Sequence, residues 1–208
     1  MRVIAINKKN SDQYQNYLEQ MYQLRAKVFL GRLGWEVAVE NGREFDAFDE
    51  LDPTYIVCVL NDGTVAGCAR LLPALGPTML EVTFPQLIGK GLYHPHKAMV
   101  ESSRFCVDTT LPVASSRQWA NKMTNMMFAG IIEWCMKNSI SEIMTVTDLR
   151  FERILGISRW PLQRIGEPLE IGVTTAIAGT LPADMESFNK LRPEGYWSDL
   201  SVPSKIAA

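Results

Sequence analysis

The chain is poor in the residues that most often bind metals. It has two histidines, His94 and His96, and both fall in one short loop, YHPHK. Zinc sites need three or four ligands, so a centre built on this pair is a weaker reading than two solvent-facing loop histidines. The four cysteines, Cys58, Cys68, Cys106 and Cys135, form no C-x-x-C pair and lie in apolar segments. They read as reduced core thiols. Positive charge is not in excess either. The 21 Lys and Arg stand against 23 Asp and Glu, a net charge of −2, which argues against a nucleic-acid partner. No apolar run approaches the roughly 20 residues that cross a bilayer, so no membrane partner is expected. The opening MRVIAINKKN lacks an apolar core followed by a small-residue cleavage site. It is expected to be the first strand of a cytoplasmic protein. Neither G-x-G-x-x-G nor a Walker motif occurs, which counts against dinucleotide and P-loop phosphate chemistry. No repeat, linker or low-complexity tract divides the 208 residues. One domain, 1–208, is expected.

What is present is a regular alternation of strand and helix patterns. Residues 2–6 are apolar and β-prone. From Ser11 the period changes: Tyr14, Tyr17, Leu18, Met21, Leu24, Arg25, Val28 and Phe29 recur at three and four, a helix broken by Gly31 and Gly34. TYIVCVL and TVAGCARLL are strands joined by Asn61-Asp62-Gly63, a hairpin signal. Residues 98–108 form another strand. Ser115 and Gln118 have capping-box spacing ahead of a long helix ending near Asn138. EIMTVTD is a strand, LRFERILGI a short helix, and LEIGVTTAIAG a last long strand. The order predicts an α/β (α+β) sandwich, a mixed central sheet flanked by helices.

Three clusters could carry chemistry. RAKVFLGRLGWEV runs from a helix carrying Arg25 and Phe29 out to Trp35; both rings also suit plain core packing. REFDAFDELD interleaves Glu44, Asp46, Asp49, Glu50 and Asp52 with Phe45 and Phe48. Such loops are usually just solvated, yet carboxylates among aromatic faces also suit a cation. VESSRFCVD carries Glu101 and Arg104 on a strand whose strict alternation puts Glu101 on one face with Phe105 and Arg104 on the other. A carboxylate on an apolar strand face is costly unless something pairs with it. With Arg70, these residues suit a ligand that is cationic at one point and anionic at another.

Arg25, Phe29, Trp35, Asp46, Asp49, Arg70, Phe84, Glu101 and Arg104 together resemble the pattern of the LuxI-type acyl-homoserine-lactone synthases, over about residues 2–178 and with the ESSRF block intact. That resemblance implies a fold related to the GCN5-type N-acetyltransferases, with central strands splayed to admit a thioester and a bulge in the 98–108 strand. A bulge can bring Glu101 and Arg104 to one cleft. It also implies an acyltransferase in quorum sensing. The amine of S-adenosylmethionine takes an acyl group from a thioester, and the carboxylate then closes a lactone and expels methylthioadenosine. S-adenosylmethionine is a substrate here, and no cofactor or metal is implied.

By the resemblance, Arg25, Phe29, Trp35, Asp46, Asp49, Arg70, Phe84, Arg104 and Phe105 are candidates to bind S-adenosylmethionine, with Asp46, Asp49, Arg70 and Arg104 beside Glu101 in the reacting centre. Arg25 can equally be a structural ion pair. Glu101 is the candidate proton acceptor, or it orients the amine while another group takes the proton. Met123, Met126, Met127, Thr145 and Thr147 are candidates for the acyl pocket, although the methionines fit an ordinary core equally well. Arg150 and Arg153, with Arg159 and Arg164 beyond them, are candidates to dock an acidic acyl carrier protein, against plain solvation; coenzyme A is the other donor. Two rival readings stand beside this one. A GCN5-like N-acyltransferase using acetyl-coenzyme A would carry a glycine-patterned pyrophosphate loop before the long helix, and TTLPVASSRQWA has none. A catalytically silent ligand-binding domain is the other.

Overall fold

The computed structural model describes residues 1–111 and 117–200, the side chain of Arg117 excepted. In chain order the elements are β1 (Arg2–Ile6), a 3-10 turn (Ser11–Tyr14), α1 (Gln15–Ala26) and a π-helical segment (Lys27–Arg32). There follow β2 (Val39–Glu40), β3 (Arg43–Glu44), a 3-10 turn (Ala47–Glu50), β4 (Thr54–Val59) and β5 (Val65–Pro73). Next come α2 (Met79–Val82), a 3-10 turn (Pro85–Leu87), β6 (Met99–Val107), α3 (Arg117–Lys137), β7 (Glu142–Asp148) and α4 (Leu149–Ile157). The chain ends on β8 (Gln163–Arg164), β9 (Leu169–Ile171), β10 (Thr174–Pro182), α5 (Met185–Leu191) and β11 (Ser198–Asp199). The large sheet runs β11-β1-β4-β5-β6-β7-β10-β8, with β9 also on β10. It is mixed: β1–β11 and β6–β7 are parallel and its other pairs antiparallel.

Helices cover both faces. Met123, Met126, Met127 and Phe128 of α3 pack with Val3, Ile56 and Leu71 on one side. Met21, Leu24, Val28 and Phe29 pack with Ile4, Val57 and Cys106 on the other. β4 and β5 read as nearly continuous apolar runs because both faces are covered. The α3 contact is close: a Cβ on Gly130 would lie 2.5 Å from Val3 Cγ1. A third apolar cluster, around Leu80, Leu87, Met99 and Met144, sits under the segment that links β5 to β6. Among the described residues, no helix is long and apolar enough to cross a membrane.

Three expectations need correction. The helix from Ser11 to Phe29 is not one regular helix. It opens as a 3-10 turn and continues past Gly31 as a π turn to Arg32, where Leu33 N–H reaches back to the Val28 carbonyl at 2.9 Å. Such wider turns often sit at functional sites. The last strand is two: Gly172, at φ +58°, turns the chain between β9 and β10. The strict alternation along 98–108 fails, for a reason that shapes the site. Of the Ser115–Gln118 capping box, Ser115 lies outside the described residues.

β6 carries a bulge. Arg70 is opposite Ser103 and Cys68 opposite Cys106, so Ala69 faces both Arg104 and Phe105. Arg104 takes φ +53°, a left-handed conformation that costs a non-glycine residue on the order of 1–3 kcal/mol. The extra residue turns Arg104 to the face of Glu101 and Ser103 and sends Phe105 through to the α3 side. β6 then parts from β7. Their backbones pair only from Met99 with Glu142 to Glu101 with Met144. Beyond that point the Thr145 hydroxyl donates to the Ser102 carbonyl at 2.8 Å, the two strands otherwise diverging.

Candidate active site

Three arginines and three carboxylates interlock on the α1 face of the sheet. Arg25, projecting from α1, donates from Nε to Glu44 Oε2 at 2.5 Å and grips both Asp49 oxygens at 2.8 Å. Arg70, on β5, reaches Asp46 from both terminal nitrogens at 2.5 and 3.1 Å, and its Nη1 lies 2.9 Å from Asp49 Oδ1. Arg104 donates from Nε to Glu44 Oε1 at 3.0 Å, and its Nη2 lies 2.7 Å from Asp46 Oδ2. Arg25, Arg70 and Glu44 are wholly buried, while Arg104 and Asp46 keep slight access to solvent. Paired, planar, bidentate contacts are what make so much buried charge tolerable.

Local structure sets each acid. Asp46 caps the 3-10 turn after it, accepting from Phe48 N–H at 2.9 Å, while Asp49 accepts from Asp46 N–H at 2.9 Å. The two-residue ladder of β2 and β3 turns Glu44 inward. Tyr55 donates its hydroxyl to Asp49 at 2.7 Å and meets the Tyr22 hydroxyl at 3.1 Å. Burial alone would raise the Asp49 pKa, but the bonds from Arg25 and the Arg25 and Arg70 charges hold it well below the usual carboxylate range. For Arg25 burial opposes the charge, and Asp49 and Glu44 outweigh it, so its pKa stands above the ordinary value.

Aromatic faces surround the charges. The Arg104 guanidinium lies 5.6 Å from the Phe29 centroid, Arg70 5.5 Å from Phe48 and Arg25 5.2 Å from Tyr22. Phe29 in turn stacks on Trp35, centroids 5.3 Å apart and 8° from parallel. Such contacts restrain the guanidinium planes.

Glu101 sits beside this network, fully buried. Its oxygens accept from Met79 N–H at 2.9 Å and Leu80 N–H at 2.8 Å. Burial raises its pKa above the ordinary glutamate value, and the two amides and the Arg70 charge only partly oppose that. The Met79 thioether accepts from Arg70 Nη2 at 3.2 Å and Arg104 Nη1 at 3.3 Å. Met79 therefore joins Glu101 to both arginines.

Arg25, Phe29, Trp35, Asp46, Asp49, Arg70 and Arg104 are thus brought together, with Glu101 adjoining. One expected partner is on the opposite face of the sheet. Phe105 lies on the α3 side, 5.2 Å from Phe128 and 5.0 Å from Phe151, because the bulge turned it there. Phe84 adjoins the site, its N–H bonding the Met79 carbonyl at 3.0 Å while its ring packs on the third apolar cluster. Met123, Met126 and Met127 are fully buried core residues, and Thr145 and Thr147 are half-buried on β7. Arg150 and Arg153 are exposed on α4, while Arg164 is held by Glu152 through two bonds of 2.7 Å. His94 bonds the Gly91 carbonyl and His96 bonds Glu142. Among the described residues, no cluster of three or more His, Cys, Asp or Glu is placed to hold a metal. Glu44, Ser103, Tyr55 and Met79 also bond into this network. Glu44 and Ser103 stand inside the acidic run and the ESSRF block with nothing to single them out, and Tyr55 and Met79 carry no local signal.

A family model described as autoinducer synthase matches residues 9–191. An acyl-homoserine-lactone synthase of Rhizobium radiobacter is 56% identical over 190 residues, covering 90% of each chain. The crystal structure of the acyl-homoserine-lactone synthase LasI superposes with a TM-score of 0.80 at 28% identity, over 94% of this chain and 95% of that one. The coenzyme A-dependent acyl-homoserine lactone synthase BjaI, solved with S-adenosylmethionine and isopentyl-coenzyme A, shares the fold at TM-score 0.81 and 21% identity, over 95% and 93% of the chains. A Lactobacillus plantarum structure described as an N-acetyltransferase shares the fold more distantly, TM-score 0.58 at 12% identity over 88% and 100%. The splayed mixed sheet is therefore of the acetyltransferase type, and neither rival reading is favoured. With matches spanning nearly its whole length, the chain belongs to the autoinducer synthase family, the acyl-homoserine-lactone synthases.

Proposed function

We propose that this acyl-homoserine-lactone synthase seats S-adenosylmethionine against the Arg70, Arg104 and Glu101 corner and receives the acyl thioester through the opening between β6 and β7. The observation that carries the reading is their adjacency: the strand holding Glu101 and Arg104 is also the strand that parts from β7. Charge supports it too. Arg25, Arg70 and Arg104 face Glu44, Asp46, Asp49 and Glu101, leaving one negative charge in excess when all are ionised. That suits a ligand with an ammonium, a sulfonium and one carboxylate. The arginine donors suit its carboxylate and the Phe29–Trp35 stack its cationic portion.

The α-ammonium must lose a proton before it attacks. Glu101 is assigned that proton: each carboxylate oxygen has a second lone pair beyond the one its backbone amide occupies, about four acceptor positions in all. Its raised pKa brings it closer to the operating range of a general base. The free amine then attacks the thioester carbonyl, an N–C bond forms, the C–S bond breaks and the carrier thiol departs. The ligand's carboxylate displaces the sulfonium sulfur at Cγ, closing the ring and releasing neutral methylthioadenosine. Asp46 and Asp49 act through the arginines they hold. The acyl chain is assigned to the apolar ground around Met123, Met126, Met127, Thr145 and Thr147, where unbranched thioethers repack readily around a flexible chain.

The donor is assigned to acyl carrier protein, docking on Arg150 and Arg153 of α4. Both are exposed, and Leu149, Ile154 and Ile157 beside them are exposed apolar contacts. Incubating the protein with S-adenosylmethionine and acyl thioesters, with mass spectrometry of the products, tests the whole reading. Methylthioadenosine and an N-acyl lactone should appear together. An acylated amine without methylthioadenosine, or binding without turnover, would refute it.

A further inference from the structure

Two positively charged donors converge on the sulfur of Met79. Arg70 Nη2 and Arg104 Nη1 point at it from 3.2 and 3.3 Å. A thioether is a weak acceptor, whereas the other polar partners of these guanidinium groups are the Asp46, Asp49 and Glu44 carboxylates and the Ser103 hydroxyl. A buried charged donor is under-satisfied against sulfur and gains when a stronger acceptor replaces it. The Met79 backbone is pinned independently, its N–H on Glu101. Its side chain is unbranched, with three rotatable bonds. It can therefore leave the arginines without moving α2.

We propose that Met79 is a specificity-determining residue: its thioether competes with the ligand's carboxylate for the Arg70 and Arg104 donors. This rests on the S-adenosylmethionine reading above. A ligand that carries the carboxylate offers the arginines a better acceptor and displaces the sulfur. A ligand that lacks it gains nothing from the displacement. The site thus discriminates between a methionine-derived sulfonium and its decarboxylated counterpart at a point removed from the reacting nitrogen.

Two substitutions of similar volume predict opposite signs. Met79→Leu removes the competing acceptor, and Met79→Gln supplies a stronger one, an amide carbonyl. In calorimetric titration of the full chain, the Leu variant should bind S-adenosylmethionine several-fold more tightly and the Gln variant about tenfold more weakly. Decarboxylated S-adenosylmethionine should bind all three proteins alike. In the wild-type protein carrying ¹³C-methyl methionine, the Met79 resonance should move with the first ligand and hold still with the second, a readout that needs no variant. Equal shifts in affinity for both ligands, or a Met79 resonance that responds to both alike, would overturn the proposal. Folded wild-type protein that binds neither ligand would remove the parent reading and this one together.

Discussion

Glu101 and Asp49 are both buried carboxylates, and their surroundings push them in opposite directions. Asp49 is held low by two arginines and Glu101 is raised by burial. Stability should therefore have slopes of opposite sign. Between the ordinary carboxylate range, about 4, and Asp49's depressed folded value, the unfolded chain binds the extra proton, so stability falls as pH falls. Glu101 works the other way: its contribution is present below the ordinary glutamate value and is lost as pH rises through the raised one. Thermal melts against pH should show Asp49→Asn flattening the acid limb and Glu101→Gln flattening the limb above it. Catalysis separates the two further. Glu101→Gln should lower turnover by about 10²-fold while changing S-adenosylmethionine affinity far less. Near wild-type turnover at neutral pH would reassign the proton to another acceptor. At this scale Arg25, Asp46 and Asp49 were legible through the family resemblance, since they are three of the nine positions that carry it. Glu44 was not, because its inward direction depends on a two-residue ladder that no propensity reveals.

Elements were legible where an apolar run beside a turn signal marks a strand, as in β4 and β5, or where one pattern holds through a whole segment, as in β7 and α4. They were not where a single residue resets the period. The bulge at Arg104 exchanged the faces of Arg104 and Phe105, and Gly172 divided one apparent strand into β9 and β10. The contact of α3 with β1 gives an element-scale prediction. Val3 is short and stiff, and a Cβ on Gly130 would stand 2.5 Å from its Cγ1. Gly130→Ala gains helix propensity of up to about 1 kcal/mol, but overpacking costs typically 1–3 kcal/mol. Urea denaturation should find the variant less stable than wild type. A second substitution, Val3→Ala, should cost less stability in this variant than in wild type, because it removes the opposing methyl.

The whole molecule is mildly acidic, with a net charge of −2, so attraction for an acidic carrier must come from a local patch. Reversing Arg150 and Arg153 to Glu should raise the KM for acylated carrier protein and leave S-adenosylmethionine affinity unchanged. The wild-type KM for the carrier should rise with ionic strength, as a steered encounter between opposite charges requires. Coenzyme A thioesters are the control, since they present no acidic protein surface. A carrier that is nearly inert beside them would return both arginines to solvation or phosphate contacts. The helix–sheet–helix layering followed from the alternation of elements. Which strands lie side by side did not, because sheet order is fixed by contacts distant in sequence.

The parting of β6 from β7 also places a sheet edge in the molecule's interior. Past Glu101, backbone groups of β6 directed toward β7 have no strand ladder to enter, while those directed toward β5 stay paired on either side of the Arg104 bulge. Amide hydrogen exchange should therefore split one central strand by alternate residues, a signature expected of a sheet's outermost strand. Such an edge ordinarily invites another chain to pair with it. Here the edge lies between β5 and β7 of one sheet, with helices over both faces, so the same unpaired backbone can persist without serving as a template for aggregation.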